Sequence, residues 1–312
     1  MPLRIGTRNS ALALVQARWV ADRLGDDVEI VEVTTAGDRG QAVSDKSRWV
    51  STLEVALLAG EVDVAVHSAK DVPGELADGL ALIAVPTRVD PADALIGYGS
   101  LAAVPSGARV GTSSLRRAAQ LRTLRPDLEV RELRGNVPTR LAKLDAGEVD
   151  ALILAAAGLV RLGLGDRIGA RLGEFVPAPG QGSLVVEARA GDTATRARFH
   201  PALHDVGAGM ELAAERALAQ TLGASCHTPM GARAIGPGGA GAPAISGGSD
   251  GRRRLAHVKL TGWVGLPDGS EWISDRAVGT PEDAARAVAE AMLAVGAGDL
   301  LARAARMEEA TP

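Results

Sequence analysis

ALLAGEVDVAVHSAKDV (residues 56–72) and KLDAGEVDALILAAAGL (residues 143–159) decide the fold. Each reads as the end of a helix, a turn through Gly-Glu-Val-Asp, a buried strand of apolar residues and an exit loop. A second echo precedes each in the same order. LRIGTRNSALALVQARWVADRL (residues 3–24) is a short strand, then Gly6-Thr7 and Ser10, then a helix, and ARVGTSSLRRAAQLRTLRP (residues 108–126) repeats strand, Gly111-Thr112, Ser113-Ser114 and helix. Between these markers VEIVEVTTAGD (residues 28–38) corresponds to LEVRELRGN (residues 128–136). Three matched elements in one order predict two similar α/β lobes.

In open α/β sheets ligands sit beyond the carboxyl ends of strands, where helix N-termini present unpaired N–H groups to anions. Two such lobes facing each other predict a carboxylate-binding cleft lined by amides, hydroxyls and arginines. The strand-like start of GSLVVEARAGDTATRARF (residues 182–199) is read as returning to the first lobe, which becomes discontinuous. Beyond it, residues 209–223 read as a helix, residues 256–278 as a β-hairpin about Pro267-Asp268-Gly269, and Thr280-Pro281 as the start of a final helix. The glycine-rich stretch at 236–251 reads as a surface loop. The expected domains are 1–86 with 183–201, 91–177, and 206–312.

A length of 312 residues suits two or three domains. The hydrophobic share of 46%, the charged share of 23% and a mean hydropathy of +0.09 are those of a globular protein. No run approaches the ~20 apolar residues of a bilayer span, and MPLRIGTRNS lacks the apolar run of a secretory signal, so a cytoplasmic protein is expected. A net charge of −4 argues against general nucleic-acid binding. The single cysteine, Cys226, excludes an intrachain disulfide and a multi-cysteine metal site. It reads either as a small buried hydrophobe or as a thiol in a loop projecting into a cleft.

His67-Ser68-Ala69-Lys70-Asp71 closes a strand. The residues alone admit two readings of this segment, a set of cleft groups or a solvated loop, and His67 by itself reads as a hydrogen-bonded core residue. GTSSLRR (residues 111–117) sets hydroxyls and two adjacent arginines at a helix start, where cations oppose the helix dipole, so an anion is expected nearby. Arg134 and Arg140 flank a Gly-Asn turn, and guanidinium forks take carboxylates bidentately. PAPGQGSLVVE (residues 177–187) reads as a turn or hinge around Gln181.

Taken together, GTRNSALALVQA, GEVDVAVHSAKDVP, GTSSLRRAAQL, LRGNVPTRLAKLDAGEVDA, PGQGSLVVE and the late cysteine resemble the porphobilinogen deaminase family, from Leu3 to about Arg303. The resemblance implies an α/β chain of three domains: two lobes like those of type II periplasmic binding proteins around a cleft, and a smaller C-terminal α/β domain. It implies a dipyrromethane cofactor joined by a thioether to Cys226. Onto this cofactor four porphobilinogen molecules are condensed head to tail, with loss of ammonia and final release of hydroxymethylbilane. By the same resemblance Asp71 is catalytic. Ser68, Lys70, Thr112, Ser113, Ser114, Arg116 and Arg117 meet the cofactor, and Arg8, Ser10, Arg88, Arg134, Arg140, Arg161 and Gln181 meet the substrate. No metal, nucleotide, nucleic acid or membrane is implied, and a monomer is. The chain departs from the family in a shorter lid segment at 40–55 and in the Ser225 and His227 that flank Cys226. Two rival readings remain: a non-catalytic two-lobed protein that binds small carboxylates, and a nucleotide-using transferase. The second lacks any P-loop or dinucleotide fingerprint.

Overall fold

The computed structural model describes residues 2–25, 27–33, 47–224, 228–236 and 257–309, the side chains of 47–51 and 309 excepted. The chain divides into two compact units, residues 1–89 with 182–209 and residues 90–181 with 210–312.

The first unit is built on β1 (Leu3–Arg8), α1 (Ala11–Leu24), β2 (Val28–Val33), α2 (Ser47–Leu58), β3 (Val64–Ser68) and β4 (Leu80–Ala84). The second unit begins with β5 (Asp93–Ile96), β6 (Arg109–Gly111), α3 (Leu115–Leu124), β7 (Glu129–Arg131), α4 (Val137–Asp145), β8 (Ala151–Ala155), α5 (Ala156–Arg161) and β9 (Ala170–Leu172). The chain then contributes β10 (Leu184–Arg189) and α6 (Thr193–Leu203) to the first unit, as the return of residues 182–199 anticipates. After α7 (Val206–Thr221) come β11 (Met230–Ile235), β12 (Val258–Gly265), β13 (Trp272–Gly279), α8 (Pro281–Ala294) and α9 (Ala297–Glu309).

The two five-stranded sheets have one topology. Their orders are β2-β1-β3-β10-β4 and β7-β6-β8-β5-β9. In each, the first three strands are parallel and the fourth runs antiparallel to both neighbours. That antiparallel fourth strand is the last to join the first sheet and the earliest in the second, so the sheets match in space but not in full chain order.

The echoes have a physical cause. Arg4 donates from its backbone N and Nε to Asp63 Oδ2 (2.9 and 3.2 Å), from Nη2 to Asp63 Oδ1 (2.8 Å) and from Nη1 to the Glu61 carbonyl (2.7 Å). Arg109 repeats every bond with Asp150 (2.7, 3.1 and 2.8 Å) and with the Glu148 carbonyl (3.0 Å). The Gly-Glu-Val-Asp turn is therefore a clip that fastens the start of one strand to its parallel neighbour. Its valine needs space: a Cβ on Gly6 would lie 3.0 Å from Val62, and one on Gly111 would lie 2.8 Å from Leu152 and 3.3 Å from Val149. Glycine at both positions lets the clip close.

Both sheets are covered on two faces, as buried parallel strands require. In the first, Ala17 and Val20 of α1 and Phe199 and Leu203 of α6 pack on Ile5, Val64, Val66 and Val186, while Leu53 and Leu57 of α2 cover Ala65 and Val62. In the second, Leu121 of α3 covers Val110, Ile153 and Leu95, and Leu141 and Leu159 of α4 and α5 cover Leu152, Leu154 and Ile96. The third sheet, β11-β12-β13, is antiparallel. It buries Ala232, Leu260 and Val264 under Leu218 of α7, Val288 and Met292 of α8 and Leu300 of α9. The expected hairpin and the final helix are both present, the latter capped by Thr280 accepting from Asp283 N. The hairpin turn rests on α3: Arg122 Nη1 donates to the Pro267 carbonyl (2.5 Å) and Thr123 Oγ1 to the Gly269 carbonyl (3.1 Å). The second lobe and the C-terminal region therefore share one compact unit, though each keeps its own sheet and core. The glycine-rich segment from 237 onward and residues 40–46 lie outside the described residues, and 47–55 belong to α2.

Candidate functional site

In the first unit the parallel strands β1, β3 and β4 end on one edge of the sheet, and every residue singled out for that lobe emerges there. Arg8 is the last residue of β1, Ser10 follows it, Ser68 ends β3, Lys70 and Asp71 form the single turn beyond it, and Arg88 lies past β4. Ser10 caps α1, its Oγ accepting from Ala13 N at 3.3 Å. Ser68 is tied to α1 by Gln16 Nε2 at 2.9 Å. The predicted exit loop is one turn of 3-10 helix, Ala69–Asp71, closed by Val72 N donating to the Ala69 carbonyl at 3.2 Å. Ala69 N donates across to the Ser183 carbonyl at 3.0 Å. The Asp71 carboxylate is half-buried and accepts no hydrogen bond from a described residue. His67 is a buried, hydrogen-bonded residue, as its sequence setting suggests, with Nε2 3.1 Å from Glu187 Oε2.

In the second unit the matching edge carries Thr112 to Ser114 after β6, Arg134 after β7, Arg161 after β8 and Gln181 beyond β9, while Asp93 opens the antiparallel β5 at the same edge. Thr112 is buried, Ser113 is exposed, and Ser114 caps α3 by accepting from Arg117 N at 3.4 Å. The anion expected beside Arg116 and Arg117 is present within the protein as the Asp93 carboxylate. Arg116 donates to Asp93 from Nη1 (2.6 Å to Oδ2) and Nη2 (3.1 Å to Oδ1), and Arg117 Nε donates to Oδ1 at 2.7 Å. Gln181 Nε2 donates to the same oxygen at 3.0 Å and to the Pro91 carbonyl at 2.6 Å, and its Oε1 accepts from Arg116 (3.5 Å) and Arg117 (3.3 Å). Gln181 thus belongs to a packed network, and the proline-glycine segment before it is pinned. Arg116 Nη1 and Gln120 Nε2 both donate to the Val176 carbonyl (2.8 and 2.9 Å), and Gly180 N donates to the buried Glu215 at 2.7 Å.

Sequence reasoning missed Asp93, Glu187 and Glu215. The signal for Asp93 was present in the two arginines at a helix start, but its partner lies 23 residues upstream of Arg116 in an unremarkable DPADALI run.

Two guanidiniums share one carboxylate, so the network carries a net positive charge. Burial would raise the Asp93 carboxyl, but Arg116 and Arg117 outweigh it and hold the group well below the usual carboxylate range. Burial, and then repulsion from Arg116, lower the Arg117 guanidinium. Arg140, at the start of α4, is half-buried, with Nε donating to the Gly135 carbonyl at 2.7 Å and no carboxylate partner among the described residues. Burial and the nearby Arg117 charge lower it to about 10. Burial alone lowers Arg161 to about 10. Arg134 is exposed and pairs with Glu132 Oε1 at 2.6 Å. This edge has more cationic than anionic charge, held at a cost, and fits a group bearing several carboxylates. Arg8, Lys70, Arg88 and Arg161 are half-buried and partnered. Cys226 lies outside the described residues.

Comparison with known proteins agrees with this chemistry. Residues 3–197 match the family model described as porphobilinogen deaminase, dipyrromethane cofactor binding domain, and residues 210–294 match the porphobilinogen deaminase C-terminal domain. Porphobilinogen deaminase of Stenotrophomonas maltophilia is 46% identical over 96% of this chain and 98% of its own. That of Deinococcus deserti is 43% identical over 97% and 96%. Among solved structures, a periplasmic substrate-binding protein of an ABC transporter from Coxiella burnetii covers 67% of this chain and 96% of its own at TM-score 0.40 and 19% identity. With both family domains matched and the relatives aligned end to end, the chain belongs to the porphobilinogen deaminase family.

Proposed function

We propose that the protein is a transferase that condenses four porphobilinogen molecules head to tail onto a covalent dipyrromethane, releasing ammonia at each addition, with water finally adding to the terminal carbon to release hydroxymethylbilane. Asp71 is its catalytic residue and Cys226 its thioether anchor. When bound, the dipyrromethane supplies a nucleophilic pyrrole carbon and a tether for the growing chain.

The observation that carries the assignment of Asp71 is its half-buried carboxylate, beyond the carboxyl end of β3, with no donor to it among the described residues. Such a group is available to accept a pyrrole N–H and to face the positive charge that develops on porphobilinogen as ammonia leaves. The acetate and propionate groups on each ring need cations, and Arg140 has no carboxylate partner among the described residues, so its guanidinium is suited to them. Arg8, Ser10, Arg88, Arg134, Arg161 and Gln181 are assigned to substrate. Ser68, Lys70, Thr112, Ser113, Ser114, Arg116 and Arg117 are assigned to the cofactor, the last two through the charge that Asp93 leaves uncompensated. The domains are taken as 1–86 with 183–201, 91–177 and 206–312. The protein is read as cytoplasmic and without nucleic-acid or membrane partners, on its net charge of −4 and its lone cysteine, and as a monomer on the family resemblance alone. No described helix is long and apolar enough to cross a membrane.

Asp71→Asn tests the reading. The variant is expected to fold and to carry the cofactor, seen as an intact mass above the bare chain by two linked pyrroles. It should lose at least about a hundredfold in kcat, within the usual span for a positioned acid-base group. Near-parental turnover would overturn the role of Asp71, and a bare-chain mass in parental protein expressed with porphobilinogen would overturn the anchor.

A further inference from the structure

A buried polar column lies on the α2 side of the first sheet, and the reaction as described does not use it. In the β3 to β10 ladder Val185 stands opposite His67 and Leu184 opposite Ser68. Glu187, two residues beyond Val185, shares the face of His67. Both side chains are withdrawn from solvent, His67 at 6% exposed and Glu187 at 0%. Their one bond, Nε2 to Oε2 at 3.1 Å, is the only hydrogen bond of either side chain among the described residues, and Glu187 Oε1 is buried with no donor. Glu54 of α2 approaches the same place, its carboxyl raised by burial and then by the Glu187 charge.

An apolar pair would fill this volume at lower cost, because burying a carboxylate with one partner forfeits most of its hydration. The position of the pair explains its retention. His67 and Ser68 are the last two residues of β3 and face opposite sides of the sheet. Glu187 holds the first and Gln16 holds the second, at 2.9 Å. The next residue is Ala69, whose N bonds to the Ser183 carbonyl at 3.0 Å, and the turn that follows ends on Asp71. The strand end is tied by a side-chain contact on each face immediately before the turn that carries the carboxylate.

We propose that His67 and Glu187 are positioning residues for Asp71, their buried bond locking the end of β3 to β10 so that the turn from Ala69 to Asp71 presents its carboxylate in one place. The inference rests on Asp71 being the catalytic group. Neither residue touches substrate, so both act through β3.

Steady-state kinetics on cofactor-loaded enzyme test it, with rates expressed per folded, loaded molecule and thermal unfolding recorded in parallel. His67→Leu and Glu187→Leu each remove the bond, and each is expected to lower kcat roughly tenfold to a hundredfold, the scale of a displaced catalytic group, while KM changes less than about twofold. Glu187→Gln keeps an acceptor oxygen and should hold kcat within about threefold of the parent. The double variant His67→Leu with Glu187→Leu leaves neither member of the pair orphaned, so it is expected to fold even if the singles do not. Its kcat should fall no further than either single, because both act through one bond. Parental kcat in that double variant, or a loss in the singles that disappears once rates are corrected for folded, loaded protein, overturns the proposal. Asp71→Asn, measured alongside, separates the two claims: if it is inactive while the double variant is fully active, only the positioning role fails, and if it is active both fail.

Discussion

Replacing Asp93 with Asn isolates the one carboxylate that two buried guanidiniums share. The Asp93 side chain is 0% exposed, with those of Arg116 and Arg117 at 4% and 7%. It accepts three bonds from the arginines and one from Gln181. Asparagine keeps one acceptor oxygen in the same volume, but its amide turns a donor toward guanidinium donors and its neutral charge leaves both arginines uncompensated. Removing one member of a buried, hydrogen-bonded charge set costs about 3–5 kcal/mol. Spread over a unit of this size, where 1 kcal/mol moves Tm by roughly 2–4 °C, the expected fall is roughly 6–20 °C at pH 7. The pH dependence follows from the depressed carboxyl. Its stabilisation is complete above the unfolded value of about 3.9 and is lost as pH falls toward the much lower folded one. The gap between parent and variant should therefore be constant from pH 6 to 8 and close only in acid. Differential scanning calorimetry of the two proteins measures it, with hydrogen exchange of residues 90–181 to localise the loss. A Tm within about 2 °C of the parent at pH 7 would refute the claim that Asp93 balances these arginines.

Asp150, lowered to about 2 chiefly by its hydrogen bonds from Arg109, stabilises the fold above the unfolded carboxyl value and loses that effect as pH falls toward 2. Asp150→Asn should therefore narrow its Tm difference from the parent between pH 6 and pH 3, and an unchanged difference would count against the clip. Gly269 holds φ +77°, and a Cβ there would sit 2.7 Å from Arg122 Cβ and 2.8 Å from Thr123 N, so Gly269→Ala should destabilise by about 1–3 kcal/mol in urea unfolding. Arg140→Ala removes a guanidinium assigned to substrate carboxylates. KM for porphobilinogen should rise about tenfold or more, with a smaller change in kcat and in Tm. An unaltered KM would remove Arg140 from the binding set.

Much of the architecture was legible because its causes are local. The Gly-Glu-Val-Asp turns, the serine caps of α1 and α3, the Pro267-Asp268-Gly269 turn and the Thr280 cap each form within a few neighbouring residues, whereas the bonds that fasten the first of these to Arg4 and Arg109 span 59 and 41 residues. Repetition exposed the two lobes, since the same local solution appears twice in the same order. The residues around the candidate site were legible as chemical types and places, at strand ends and helix starts, but not in their bonding. Arg116 and Arg117 read as cations that need an anion nearby, and the structure supplies Asp93 from a distant strand. Gln181 read as part of a turn, and its N–H closes one on the Ala178 carbonyl, but nothing in the sequence showed its side chain bridging that acid and both arginines.

The sequence by itself determined the α/β class, the paired lobes, the discontinuity of the first and, through its motifs, the family. Periodicity, caps and turns carry that information along the chain. Only the tertiary structure decided which charges are paired inside the protein. A carboxylate's partner is set by where strands lie in a sheet, and the sheet orders put β5 beside β8 and β10 between β3 and β4, across long stretches of chain. Asp93 meets its arginines, and His67 meets Glu187 120 residues away, because of that strand order and not because of any spacing in the chain.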